Sequence, residues 1–145
     1  MVNEIQAVIE ELGGKATLRR SLRTQTDLQA AIREGFPQGV VAEVMQASGL
    51  TLRELAKSLD LSSRSLQRRR RQGRLAPHES DRLYRLARIV VLAKHYLGDA
   101  EAASRWLQRP NRALGGDSPL DLLDTELGAR AVENVLGRIA YGGIS

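Results

Sequence analysis

The sequence predicts an all-α fold: N-terminal helices, a central helix-turn-helix and a C-terminal helical region. Three observations predict it. Apolar residues recur at helical spacing along most of the chain. Glycine pairs and Gly-Pro clusters close the periodic segments where helices stop. Of 145 residues 42% are hydrophobic but only 3% aromatic, so a core must be built from Leu, Val, Ile and Ala, a composition that favours helices.

From the N-terminus, Val2 to Leu12 place Ile5, Val8, Ile9 and Leu12 on one stripe, ended by Gly13-Gly14. Thr17 to Arg23 is basic and suits a loop. Thr26-Asp27 suits the cap of a helix through Leu28, Ala31 and Ile32, stopped by Gly35 and Pro37. Gly39 to Ala47, with Val40, Val41, Val44 and Met45, predicts a short helix closed by Ser48-Gly49. Val40-Val41 also suits a strand, and that alternative stays open.

The stretch Leu52 to Arg74, LRELAKSLDLSSRSLQRRRRQGR, organises the chain. Leu52, Leu55, Ala56 and Leu59 give one short helix an apolar stripe, and Ser62 or Ser63 caps a second whose buried contact is Leu66. A turn of a few residues joins them, with small Ala56 at the crossing, which is a helix-turn-helix plan. The second helix carries Arg64, Arg68, Arg69, Arg70 and Arg71, with Arg74 just beyond and no acid between Arg64 and Arg74. A cationic helix bearing Ser and Gln suits a major groove. Two residues depart from the pattern. Asp60 stands in the turn where such motifs favour glycine, although Asp tolerates the left-handed conformation. Arg69 stands where an apolar anchor is common, so loose packing of the helix's second half is expected.

Pro77 suits the first turn of the longest helix, His78 to Leu97, which buries Leu83, Leu86, Ala87, Val90, Ala93 and Leu97. Arg82, Arg85 and Arg88 fall mostly on its other faces, either extending a basic surface or simply solvated. Asp99 caps a helix to Leu107 with Ala102, Ala103, Trp106 and Leu107 inward, and the sole tryptophan is expected to plug the core. Arg109 to Pro119 is rich in turn residues that fix a specific path. Ser118-Pro119 with Asp121 reads as a capped helical turn. Thr125 opens the last helix, striped by Leu127, Ala131, Val132, Val135, Leu136 and Ile139 and stopped by Gly142-Gly143.

Catalytic chemistry is hard to find. The absence of cysteine excludes disulfides and thiolate metal sites. His78 and His95 lie far apart with no evident acid or nucleophile beside them. Leu114-Gly115-Gly116-Asp117 lacks the preceding strand and the following Lys and Ser/Thr of a phosphate loop. Asp121, Asp124 and Glu126 sit near a helix start, where capping explains them without metal. No enzyme activity, cofactor or metal is expected. The formal charge of +5 suits an anionic partner. The start, MVNEIQAVIEELGG, is acidic without a cationic leader, and no stretch is long enough to span a membrane, so a cytoplasmic protein is expected.

Three blocks, LDLSSRSLQRR, ESDRLYRLARIVVLA and WLQRPNRALGGDSPLDLLDTELGARAVENVLGRIAYG, together resemble the MbcA/ParS/Xre family of antitoxins, in particular the Xre partner of RES-domain toxins. The resemblance runs from about Leu50 to the end. It implies a Xre-like helix-turn-helix and a C-terminal toxin-binding domain. It further implies binding of a RES-type toxin that degrades NAD, with its active site blocked, and repression of the protein's own operon.

The resulting plan has residues 1–49 as an N-terminal helical region, 50–76 as the helix-turn-helix and 77–145 as the toxin-binding domain. Helix-turn-helix proteins usually bind as symmetric pairs, so a homodimer is expected, with the N-terminal helices as its surface or as core support. For operator DNA the exposed positions are Ser62, Ser63, Arg64, Gln67, Arg68 and Arg71, with Arg64 or Arg68 reading a guanine. Arg70, Arg71 and Arg74 are expected on phosphates. For the toxin, Arg138, Ile139, Tyr141, Gly142, Gly143, Ile144 and Ser145 are expected to plug the NAD site, a few apolar anchors carrying most of the energy. The alternative is that Tyr141 merely covers the long helix. Two other readings also stay open: a repressor whose C-terminal half serves only dimerisation, and a protein-binding module whose helix-turn-helix no longer reads DNA.

Overall fold

The computed structural model describes residues 4–140. Among these, nine α-helices and two 3₁₀ turns follow one another without a strand, and a lone bridge joins Pro37 to Arg74. The all-α expectation holds.

The longest helix, α7 (Pro77–Leu97), is the axis of the molecule. It buries Leu83, Leu86, Ala87, Val90 and Ala93 on the expected stripe, Leu97 is only partly buried, and Ile89 widens the stripe. A helix apolar around so much of its circumference needs neighbours on several sides. It has them: α1 (Glu4–Glu11), α3 (Gln25–Glu34), α5 (Leu52–Ser58), α8 (Ala100–Gln108) and α9 (Glu126–Ala140) all pack on it. The buried apolar side chains from both ends of the chain form one cluster.

The N-terminal helices belong to that core. Val8, Ile9 and Leu12 are buried, and Lys94 of α7 donates to the buried Glu11 carboxylate at 2.9 Å. The basic segment expected as a loop instead begins with a one-turn helix, α2 (Gly14–Leu18), because Leu18 and then Leu22 are drawn into the core. The cap of α3 lies two residues earlier than expected. The Thr24 hydroxyl accepts from the Asp27 N–H at 3.1 Å, and the Asp27 carboxylate accepts from the N–H groups of Arg23 and Thr24. Those backbone donors hold the Asp27 carboxyl below its usual range. The strand alternative for Val40-Val41 is excluded. Both are fully buried in α4 (Gly39–Ser48), where Ser48 closes the helix by donating to the Val44 carbonyl.

In the C-terminal block, the Asp99 carboxylate caps α8 by accepting from the Ala102 N–H at 2.7 Å. Asn111 pins the following loop: its side chain accepts from the Ala113 N–H, and its own N–H donates to the Asp117 carbonyl. This path sets the 3₁₀ turns Arg112–Leu114 and Leu120–Leu122 against α9. The approach is so close at Gly128 that a Cβ there would stand 1.8 Å from the Leu122 carbonyl oxygen. The Thr125 hydroxyl accepts from the Gly128 N–H, as a helix cap should. Leu127, however, does not belong to the buried stripe. It is 78% exposed, because Ala129, Val132, Val135 and Leu136 define the inward face and Leu127 stands about 140° around the helix from Val132.

Candidate nucleic-acid interface and C-terminal block

The helix-turn-helix is built as its local sequence dictates. Thr51 and Glu54 form a reciprocal cap on α5, each side chain accepting from the other's backbone N–H. Leu55, Ala56 and Leu59 face inward, and the turn closes where the Leu61 N–H donates to the Ala56 carbonyl at 2.9 Å. Asp60 takes the left-handed conformation, with φ 57°, that glycine would otherwise supply. The Ser62 hydroxyl then caps α6 (Ser63–Gln72) by accepting from the Ser65 N–H, and Leu66 is the helix's fully buried anchor.

With Leu66 inward, the opposite face of α6 is left to solvent. Ser62, Arg64, Gln67, Arg68 and Arg71 are exposed, while Ser63 and Arg70 are half-buried. Among the described residues, none of Arg64, Arg68, Arg70 and Arg71 has an ion-pair or side-chain hydrogen-bond partner. Arg74 is exposed, but its guanidinium donates to the Gly35 carbonyl at 2.7 Å.

Arg69 is the residue for which the sequence reading needs correction. The second half of α6 is anchored rather than loose. Arg69 donates at 3.1 Å to Glu79, a carboxylate fully buried at the start of α7 that also accepts from the Ala76 N–H at 2.7 Å. An ion pair stands where related motifs use a hydrocarbon contact.

The C-terminal end of α6 is also stitched to the segment before α4. The Gln38 N–H donates to the Gly73 carbonyl, and the Leu75 N–H to the Phe36 carbonyl. The Ser80 hydroxyl accepts from the Phe36 N–H and donates to the Ala76 carbonyl. Gly35 is obligatory at this junction: its φ is +90°, and a Cβ would stand 2.2 Å from the Leu75 carbonyl oxygen.

The arginines of α7 neither extend a basic surface nor stand free in solvent. Arg82 donates to the Leu59 carbonyl at the end of α5. Arg85, only 11% exposed, bonds Glu126 and the Leu123 carbonyl. Arg88 pairs with Glu133 and lies 3.6 Å from Glu126. Burial pushes the Glu133 carboxyl above its usual range, against the pull of Arg88. Lys57 on α5 holds Asp121 at 2.9 Å, and that contact draws the Asp121 carboxyl downward.

At the far end, Arg138 is exposed on α9 and Ile139 is half-buried against the core. Tyr141, Gly142, Gly143, Ile144 and Ser145 lie outside the described residues. Trp106 is only partly a core residue. It packs against the cluster but also lines an open groove with Leu97, Arg105, Arg109 and Arg112. His78 and His95 are exposed, the latter edge-on to Tyr96. Among the described residues no group of His, Asp and Glu could hold a metal ion, and no helix is long and apolar enough to cross a membrane.

Comparison with known proteins matches residues 27–88 to the antitoxin Xre-like helix-turn-helix domain. Residues 92–142 match the antitoxin Xre/MbcA/ParS C-terminal toxin-binding domain. Both matches have an edge inside α7. The chain is 35% identical over 119 residues to an antitoxin Xre of Yersinia enterocolitica, covering 81% of this chain and 80% of the relative. It is 34% identical over 120 residues to an antitoxin Xre of Photorhabdus laumondii, covering 81% of each. A protein of a Sphingobium strain named Prs ADP-ribosylating antitoxin is 25% identical over 126 residues, 80% of this chain and 79% of that one.

Proposed function

Because the chain belongs to the Xre antitoxin family, with its helix-turn-helix and toxin-binding domains, we propose that it neutralises a RES-type toxin that consumes NAD and that it represses its own operon. Relatives named as antitoxins and a domain named for toxin binding mean that the chain acts by binding rather than by catalysis. The observation that carries the proposal is the toxin-binding match over 92–142, which takes in all of α9 and reaches Gly142. Arg138 and Ile139 stand at the end of α9 and lead into Tyr141, Gly142, Gly143, Ile144 and Ser145, the segment assigned to the toxin's NAD cleft.

On the DNA side, Arg64 or Arg68 reads a guanine while Arg70, Arg71 and Arg74 meet phosphates. The partnerless arginines of α6 support this assignment. Two copies bind one operator, and the protein works in the cytoplasm; the apolar faces of the N-terminal helices, buried in the protomer's own core, serve as core support.

The test is co-expression with the neighbouring toxin gene, purification of the pair and an assay of NAD consumption. Full-length protein should co-purify with a silent toxin. Deleting residues 141–145 should restore NAD consumption while helicity stays almost unchanged. A truncated chain that still silences the toxin would refute the plug. The Sphingobium relative's name motivates a second reading, in which the toxin transfers ADP-ribose to a protein instead of destroying NAD. Free NAD turnover that requires an added acceptor protein would favour that version.

A further inference from the structure

The N-terminal basic run LRRSLR, read from sequence as a loop without a task, shares a hollow with Arg74, just past the end of the recognition helix. Leu18, Arg19, Arg20, Gly35, Pro37 and Arg74 line one open hollow, which Ala31 and Glu34 complete. Gln38, Gln67, Arg70 and Arg71 line another. Their linings adjoin along the chain at Pro37 and Gln38, where the Gln38 N–H donates to the Gly73 carbonyl and the Leu75 N–H to the Phe36 carbonyl, the junction that Gly35 keeps tight. Arg19, Arg20 and Arg74 therefore share one hollow, and main-chain bonds tie it to the segment that carries Arg70 and Arg71.

Two further observations point to an external anion there. Arg19 has no ion-pair or side-chain hydrogen-bond partner among the described residues, although the same fold neutralises Arg82, Arg85 and Arg88 with its own carbonyls and carboxylates. Arg19 also ends α2 in the left-handed conformation, with φ 61°, where any non-glycine side chain is strained. A glycine would cap α2 with less strain, so the side chain stands at this position at a cost to folding. Arg20 is shared: it bonds Glu34 at 2.7 Å, and both side chains line the hollow.

We propose that the Arg19–Arg20–Arg74 hollow is a phosphate seat, gripping the DNA backbone beside the groove that α6 enters. The inference rests on the DNA-binding reading above and adds to it a contact from outside the helix-turn-helix. Phosphate contacts carry no sequence information, so the seat contributes affinity and register, not base choice.

The test uses full-length protein and a random-sequence duplex of about 30 base pairs, titrated by fluorescence anisotropy between about 50 and 200 mM salt. Arg19→Gly is the informative variant, since it removes the guanidinium and relieves the strained backbone together. The expected result is a Tm equal to or above that of the unaltered protein, affinity about five- to tenfold weaker near 0.1 M salt, and a log–log salt slope shallower by about 0.9. Arg19→Glu should weaken binding further, whereas Arg105→Gln on α8, remote from the hollow, should leave it unchanged. An unaltered protein that binds DNA with the same slope as Arg19→Gly overturns the seat and leaves the DNA reading standing. A protein that binds no duplex at all overturns both. An Arg19→Gly variant with intact DNA binding but weakened toxin capture assigns the hollow to the protein partner and overturns the seat as well.

Discussion

Helices α6 and α7 are both rich in arginine, and the structure uses the two sets in opposite ways. On α6, Arg64, Arg68, Arg70 and Arg71 face outward with no partner among the described residues. On α7, Arg82, Arg85 and Arg88 lie between elements and join the helix to the end of α5 and to α9. Residue type does not decide between these fates, and neither does helical periodicity. The placement of acids does: α9 brings Glu126 and Glu133 onto α7, whereas among the described residues no acidic group pairs with the outward arginines of α6. Arg69 confirms the rule from within α6, because its one acidic neighbour, Glu79, converts it into an anchor.

The difference can be tested by making an inward arginine lose its partner. The largest effect should come from Glu79→Ala, which strands Arg69 and the Ala76 N–H in a buried site. A loss of about 3 kcal/mol in denaturant-melt stability is expected, and a loss below about 1 kcal/mol would mean that the pair does not anchor α6. Next comes a matched comparison on the two helices. Arg85→Ala should lower stability by about 1–2 kcal/mol and leave the salt dependence of DNA binding unchanged. Arg68→Ala should leave stability within about 0.5 kcal/mol and weaken DNA binding. Equal effects of both substitutions on both properties would erase the distinction. The smallest effect concerns pH. Burial raises the Glu133 carboxyl above 4.5 in the folded chain, so the stability that this shift contributes is present at low pH and lost as pH rises through the folded value. Glu133→Gln cannot titrate. Melting curves should therefore show the unaltered protein losing ground to the variant as pH rises above 4.5, and parallel curves would refute it.

Local signals were legible wherever chemistry acts over a few residues. The Ser62 and Asp99 caps, the left-handed Asp60, the turn at Ser118-Pro119 and the buried Leu66 all depend on near neighbours, and the structure places each as read. What escaped depends on residues distant in sequence. Leu127 falls off the stripe because the loop before α9 sets the helix's rotation. Leu18 folds a supposed loop into α2 because the core behind it is supplied by other helices. Arg82, Arg85 and Arg88 could not be placed without their partners, 23 to 45 residues away. The same limit hid Arg19 and Arg20, whose only sequence signal was a short basic run with no sign that Arg74 lined the same hollow.

The single spar of α7 has one further consequence. Its 21 residues make a rod about 30 Å long, and both family matches have an edge within it. The Lys57–Asp121 pair also links α5 to the C-terminal block, so the two working ends are joined by this helix and by a side-chain contact. A partner held at one end is carried at a set distance and bearing from whatever the other end grips. If two copies bind one operator as proposed, such a molecule works as a bracket: the bulk and symmetry of the captured protein decide which spacing of DNA half-sites the pair can span. Operator geometry then becomes a property of the assembled complex rather than of the recognition helix alone.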